Sequence, residues 1–247
     1  MIHRTLPLLL LFAPAWGQSW NEANELYRKG KYAQAAESYQ TLLRENPSNP
    51  YLHFNLANSY FKEGSNAGLG HAVIEYWRAF ALNPRDGDIR FNFDFALKRA
   101  GESLVPGGVP ESFHRLFYLL SESELLGLAW LGWWAALLLA SAAFLLEERR
   151  KTRLRPWIVA GAAVWAISGT WWGFRRMADL PNPAVVVETG AEARSGPGSN
   201  FSVTFNPPQG RRISILSRQG DWMEIEMIKE GLRGWVPVKS VERVENL

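Results

Sequence analysis

Three strings in the first hundred residues place an aromatic before an asparagine: Trp20-Asn21, Phe54-Asn55 and Phe91-Asn92. Asn24 and Asn58 follow one helical turn after the first two, and Arg28, Lys62 and Arg99 recur near the ends of the same segments. Tyr27 and Phe61 stand immediately before two of those cations and complete the candidate set. A carboxamide carries both donors and an acceptor, so a column of asparagines can pair with the N–H and C=O groups of an extended backbone. A row of cations suits a carboxylate, on a side chain or at a chain end. This is chemistry for holding a peptide. The plain alternative is that Phe54 and Phe91 pack in a core and the cations are ordinary solvated surface.

Chemistry of the bond-breaking kind finds little support. The chain has no cysteine, which removes thiolate catalysis, disulfides and cysteine-ligated metals. His3, His53, His71 and His114 are scattered, with no pair at ligand spacing. The glycine-rich string SGPGS (195–199) lacks the Gly-Lys-Ser/Thr that a phosphate loop needs. The expectation is a protein that is not an enzyme and carries no cofactor or metal.

The candidate residues sit on a repeat. Residues 23–47 align with 57–84: Ala23 matches Ala57, Gly30 matches Gly64, Tyr39 matches Tyr76 and Pro47 matches Pro84. The second unit carries about three extra residues near SNAGLG, a turn-rich string between helices. Ala23 and Ala57 lie 34 residues apart, the period of the tetratricopeptide repeat (TPR), which the pattern resembles. A third helix over 88–100 has no partner helix after it, because GESLVPGGVP breaks the pattern, and it reads as a cap. The expected α-helical TPR region is 19–100. The resemblance implies that the first helices line a groove for extended peptides, on which Asn21, Asn24, Tyr27, Arg28, Asn55, Asn58, Phe61, Lys62, Asn92 and Arg99 are the candidate contacts.

Either side of that region the chain is apolar. Residues 1–17 read as a signal peptide: Arg4, a short apolar run from Leu6 to Ala13, then Ala15 and Gly17 two apart, with an uncleaved anchor as the alternative. A Gly/Pro-broken linker and a short interfacial helix are expected over 101–122. Residues 123–176 hold two charge-free runs, 125–146 and 157–174, expected as a two-helix transmembrane hairpin; a buried hairpin in a soluble protein is the alternative. Seven of the twelve tryptophans fall between Trp130 and Trp172, as at membrane interfaces. Small residues at four-residue spacing, Gly132, Ala136, Ala140 and Gly169, Gly173, suit close packing within the hairpin or between protomers.

Between the runs, Arg149, Arg150, Lys151, Arg153 and Arg155 fall within seven positions of an expected loop, 147–156. A short basic connection faces the cytoplasm, so both flanking regions lie on the opposite side; Arg175 and Arg176 lean the other way. Such a cluster also attracts anionic lipid. Net charge is only +3, from 27 basic and 24 acidic residues, and nucleic acid is not expected as a partner.

Residues 181–247 break into short apolar strings, AVVVE, RRISILS, DWMEIEM, LRGWVPV and SVERV, separated by Gly and Pro, as in a small all-β barrel. The strings ARSGPGSNF (193–201), PQGRRISILSRQGDW (208–222) and GLRGWVPVKSV (231–241) resemble the bacterial SH3 family (SH3b). Trp222 and Trp235 read as core and strand residues. Members of that family bind cell-wall peptides or proteins, or act as spacers.

In its order of modules the whole chain resembles the BatE group, TPR proteins of bacterial aerotolerance (Bat) operons. The resemblance implies a scaffold in the inner membrane with both soluble domains in the periplasm. Implied partners are membrane proteins with von Willebrand factor A domains and a MoxR-type ATPase. A cell-envelope anchor that holds peptidoglycan through the SH3b domain is the second reading.

Overall fold

The computed structural model describes residues 16–64 and 68–244. Residues 1–15, most of the expected leader, lie outside them; the first helix, α1 (Trp16–Arg28), already begins inside the expected 1–17 segment.

Five helices build the N-terminal array: α1, α2 (Tyr32–Glu45), α3 (Pro50–Glu63), α4 (Gly68–Leu82) and α5 (Gly87–Arg99). Local chemistry sets their ends. Asn49 caps α3 by accepting from the Tyr51 and Leu52 N–H groups, with Pro50 in the first turn, and Asp86 caps α5 in the same way. Gly64 ends α3 at φ +66°, a left-handed conformation that glycine adopts without strain. The α1–α2 and α2–α3 interfaces close over Ala23, Ala35, Ala36, Tyr39, Leu52 and Leu56, where the small alanines let the helices approach.

After α5 the chain forms a short helix, α6 (Glu111–Phe117), then α7 (Glu122–Phe144) and α8 (Glu148–Ala178), which pack as an antiparallel hairpin. Ser121 starts α7 with a capping box to Glu124. The expected basic loop 147–156 is not a loop. The turn is only Leu145 to Glu147, and the cations lie on the first turns of α8. Glu147 at the cap and Glu148 in the first turn suit the positive end of the helix, and Lys151 Nζ lies 2.7 Å from Glu148. Arg150, Arg153 and Arg155 are exposed and Lys151 is half-buried.

The helices cross at glycines. A Cβ on Gly132 would stand 2.7 Å from Trp165 N, and one on Gly161 would stand 3.0 Å from Ala136 N. Gly169 and Gly173 have nothing within 4 Å and do not form the crossing. Among the described residues, one helix, α7, is long and apolar enough to cross a membrane by length and composition. The second run carries four tryptophans among several glycines and alanines, on a helix that opens with charge.

The C-terminal region is one antiparallel sheet of seven strands in the order β3-β2-β6-β5-β4-β1-β7. Five are the expected apolar strings: β1 (Pro183–Val186), β4 (Arg212–Gln219), β5 (Trp222–Met227), β6 (Leu232–Pro237) and β7 (Val241–Arg243). Two very short strands, β2 (Ala193–Arg194) and β3 (Val203–Phe205), complete it. Trp222 and Trp235 lie on strands but are only half-buried; the core is Ala184, Val186, Ile213, Ile225 and Val236.

The sheet is not a separate bead on the chain. Ala184 and Val186 point into its own core, while Val185 and Val187 join Val73, Phe93 and Leu97 in the core of α4 and α5. That two-sided burial explains the uninterrupted run AVVV, where a half-exposed strand would alternate. The approach is close: a Cβ on Gly70 of α4 would lie 2.6 Å from Val187 Cα.

Candidate partner-binding face

Helices α3 and α5 meet through Phe61 and Phe95 at 5.7 Å, and the candidate residues on α1, α3 and α5 have different fates. Tyr39 of α2 donates to Asn24 Oδ1 at 2.6 Å, and Tyr76 of α4 donates to Asn58 Oδ1 at 2.5 Å. Burial pushes the Tyr39 hydroxyl up to about 12 and raises that of Tyr76 further, so both remain donors at any ordinary pH. Each repeat therefore holds its asparagine by the same device. With the oxygen engaged, the amide nitrogen is what each asparagine can offer a ligand.

The remaining asparagines are less constrained. Asn21 is exposed and Asn55 half-buried, while Asn92 donates to Asp88 O at 2.8 Å along its own helix. Tyr27 packs edge-on against Tyr32 at 5.2 Å. Arg28 is paired with Glu25 on the same helix. Lys62 and Arg99 make no ion pair among the described residues, and both are exposed. The Arg99 guanidinium lies 5.8 Å from the Phe61 ring centroid and 5.6 Å from that of Phe95.

Residues outside the expected set matter here. Phe95 meets Phe61 at 5.7 Å and stacks with Phe91 at 6.5 Å. Phe54, the counterpart of Phe91, is covered by Tyr76 at 5.9 Å. Phe91 has no such cover and is 70% exposed, so the alternative that it packs in a core fails. Its i,i+4 spacing to Phe95, on the side of α5 away from the buried Ile89, Phe93 and Leu97, was the readable signal.

The opposite side of α5 is sealed by charge as well as by apolar packing. Glu102 accepts from the Arg212 backbone N–H (2.8 Å) and from its guanidinium (2.8 and 2.7 Å), and it lies 3.5 Å from Arg211. Arg211 also donates to Gly101 O and pairs with Glu230. Arg78 of α4 reaches Glu242 of β7 at 3.5 Å, and His71 reaches the same carboxylate at 3.1 Å. Below this seam lies a cavity of about 350 Å³ walled by Trp77, Phe80, Phe93, Phe113 and Tyr118.

The hairpin joins the seam at its end. Trp171 Nε1 donates to Phe117 O at 3.0 Å, and buried Arg175 donates to Leu120 O and stands 4.5 Å over the Tyr118 ring. His114 accepts at Nδ1 from Arg90 (3.1 Å); burial, then the Arg90 charge, push its pKa down to about 4. Asp179 is pushed up to about 6, by burial and then by its hydrogen bond to the Glu122 carboxyl. Among the described residues no group of three His, Asp or Glu could hold a metal ion.

With this geometry in place, comparison with known proteins adds two findings. Over 53 residues the chain is 38% identical to YrvJ of Bacillus subtilis (strain 168), a protein named as an N-acetylmuramoyl-L-alanine amidase. That stretch is 22% of this chain, and it spans only 10% of the relative's length. Residues 23–64, which span the second half of α1 with all of α2 and α3 and hold seven of the ten candidate contacts, from Asn24 to Lys62, match the TPR repeat family, so the chain contains a TPR repeat.

Proposed function

We propose that this chain is a non-enzymatic adaptor that docks protein segments on a face formed by α1, α3 and α5. A TPR repeat points to protein partners. The observation that carries the reading is the state of that face: Tyr39 and Tyr76 orient Asn24 and Asn58, while Lys62 and Arg99 stay exposed without an ion pair among the described residues. The adaptor would sit in a bacterial inner membrane through the α7–α8 hairpin, with helical array and sheet in the periplasm. About 35 Å of helix in α7 supports this, at 1.5 Å per residue, as does an outer surface of exposed Trp, Leu and Val. The basic turns of α8 mark the cytoplasmic end, and Arg175, spent on Leu120 O and Tyr118, weakens the opposing charge. The Bat resemblance makes membrane proteins with von Willebrand factor A domains and a MoxR-type ATPase the partners to look for, and no cofactor is involved.

The test is affinity purification of the full chain from detergent-solubilised membranes, with mass spectrometry, beside Asn21→Ala with Asn55→Ala. These two asparagines are chosen because neither anchors a tyrosine. Loss of a defined set of partners is expected. An unchanged set would refute the groove.

A second reading is favoured by one finding, the likeness to a protein named as an N-acetylmuramoyl-L-alanine amidase. The sheet would then hold cell wall while the array recruits a protein. Sedimentation of the full chain with purified peptidoglycan decides it, since an isolated sheet would expose Val185 and Val187. No co-sedimentation would count against it.

A further inference from the structure

We infer that the open end of this face is a two-part subsite for an acidic protein segment. Phe91 and Phe95 seat one large apolar side chain, and Arg99, with Lys62 in the last turn of α3 as a second cation, pairs with a carboxylate on the same segment. The inference rests on the reading of that face as a protein-docking groove, and it names the class of segment the groove takes.

Two aromatic rings stacked at 6.5 Å and 15°, one 70% and the other 43% exposed, form a flat apolar shelf. A repeat covers this position with its own second helix, as Tyr76 covers Phe54. After α5 no second helix follows in that place: the chain turns at Gly101 and runs to the seam, leaving the shelf open. A shelf of rings alone would fit many occupants, but the charge beside it selects one. Arg99 lies over the Phe61 and Phe95 rings with no carboxylate among the described residues, so its guanidinium edge is free to donate. Asp94 is already held by Lys98 at 2.6 Å and by the Leu104 N–H at 2.8 Å. Asp88 sits in the first turn of α5, at the other end of the shelf.

That arrangement gives the segment a direction and a spacing. Its acidic residue lies towards the C-terminal end of α5, away from Asp88. Phe91 and Arg99 are eight residues apart on one helix, about 12 Å at 1.5 Å per residue. A segment extended along α5 advances about 3.3 Å per residue, so anchor and carboxylate stand roughly three or four residues apart.

The experiment selects a random dodecapeptide phage library on the full chain in lipid nanodiscs, with empty nanodiscs for subtraction. The expected result is enrichment of sequences with a large apolar residue three or four positions from Asp or Glu. A synthetic enriched peptide should bind Phe91→Ser with Phe95→Ser about tenfold more weakly or worse. Replacing its anchor by Ala should cost the same factor on wild type and little more on that variant, as coupled groups do. Lys62→Gln with Arg99→Gln should weaken binding and flatten its salt dependence. Enriched peptides without this pairing, or binding indifferent to the Phe91 and Phe95 changes, would overturn the subsite. If such peptides still respond to Asn21→Ala with Asn55→Ala, the groove reading survives. If they respond to neither pair, or nothing is enriched, both fall.

Discussion

Phe91 and Phe93 stand two residues apart on α5, yet one is 70% exposed and the other 1%. A step of two residues turns about 200° around a helix, so the two rings look out of opposite sides. The inner side belongs to a core completed by Val185 of β1, Val187 and the strand-end Val244; the outer side belongs to the open face of the array. Arginines divide in the same way. Arg211 and Arg212 are buried or half-buried and bound to Glu102, whereas Arg99 lies on exposed rings without an acid. The residue types are alike on both sides. What differs is whether the chain itself supplies the covering group, and where it does not, a second molecule has something to bind.

The sealed side should be the more fragile. Glu102 Oε1 and Oε2 together serve the Arg212 backbone, the Arg212 guanidinium and Arg211, with its side chain 4% exposed. Glu102→Ala leaves Arg212 at the seam without its carboxylate and Arg211 with Glu230 alone, a change that costs about 3–5 kcal/mol where a buried pair is broken. Urea unfolding of the full chain in detergent measures this through the midpoint. A midpoint within error of wild type would show that the seam is not what couples sheet and helices.

A smaller effect should appear as a pH dependence. The His114 pKa, held down at about 4 by burial and then by Arg90, means that an unfolded chain gains a proton below about 6.5 that the folded chain refuses. Its contribution to stability therefore falls as pH drops from about 6.5 to about 4. Asp179, raised to about 6 by burial and by Glu122, works in the opposite sense: the folded form binds a proton that the unfolded form lacks, so stability grows on acidification between about 6 and 3.8. The two offset each other in wild type. His114→Gln should uncover the second, so that its urea midpoint rises from pH 7 to pH 5 while that of wild type changes little. A midpoint that falls on acidification in the variant would assign the dependence to other groups.

These contrasts mark how far a sequence can be read. The 34-residue spacing exposed the helical pairs because it reflects contacts between neighbours in the chain, Ala23 with Ala35 and Tyr39 with Asn24 among them. The five long apolar strings exposed most of the sheet for the same reason. The seam was hidden because Glu102 and Arg212 are 110 residues apart, and nothing local distinguishes a partnered arginine from a solvated one. Even the run AVVV, whose missing alternation records burial on both faces, does not say which helices cover it. The basic cluster was misassigned to a loop because density of charge is not a breaker; Glu147, Glu148 and Lys151 start a helix there. The asparagine column was legible as a pattern, but its tyrosine anchors lie on the partner helices 15 and 18 residues away.

The open side should tolerate loss almost without cost, and that is the sharpest form of the comparison. Phe91→Ser removes a ring that touches Phe95 on one side and water on most of the other. Surface substitutions of this kind stay within about ±0.5 kcal/mol, against about 3–5 kcal/mol or a little less for Phe93→Ala, two residues along, which empties a buried aromatic site. Urea midpoints of the two variants, measured side by side, check the contrast. If Phe91→Ser proved as costly as Phe93→Ala, the ring would be a structural element of the array, and its exposure would no longer argue for an occupant. If it is silent, an aromatic kept on the surface contributes nothing to folding, and binding is the role left for it to fill.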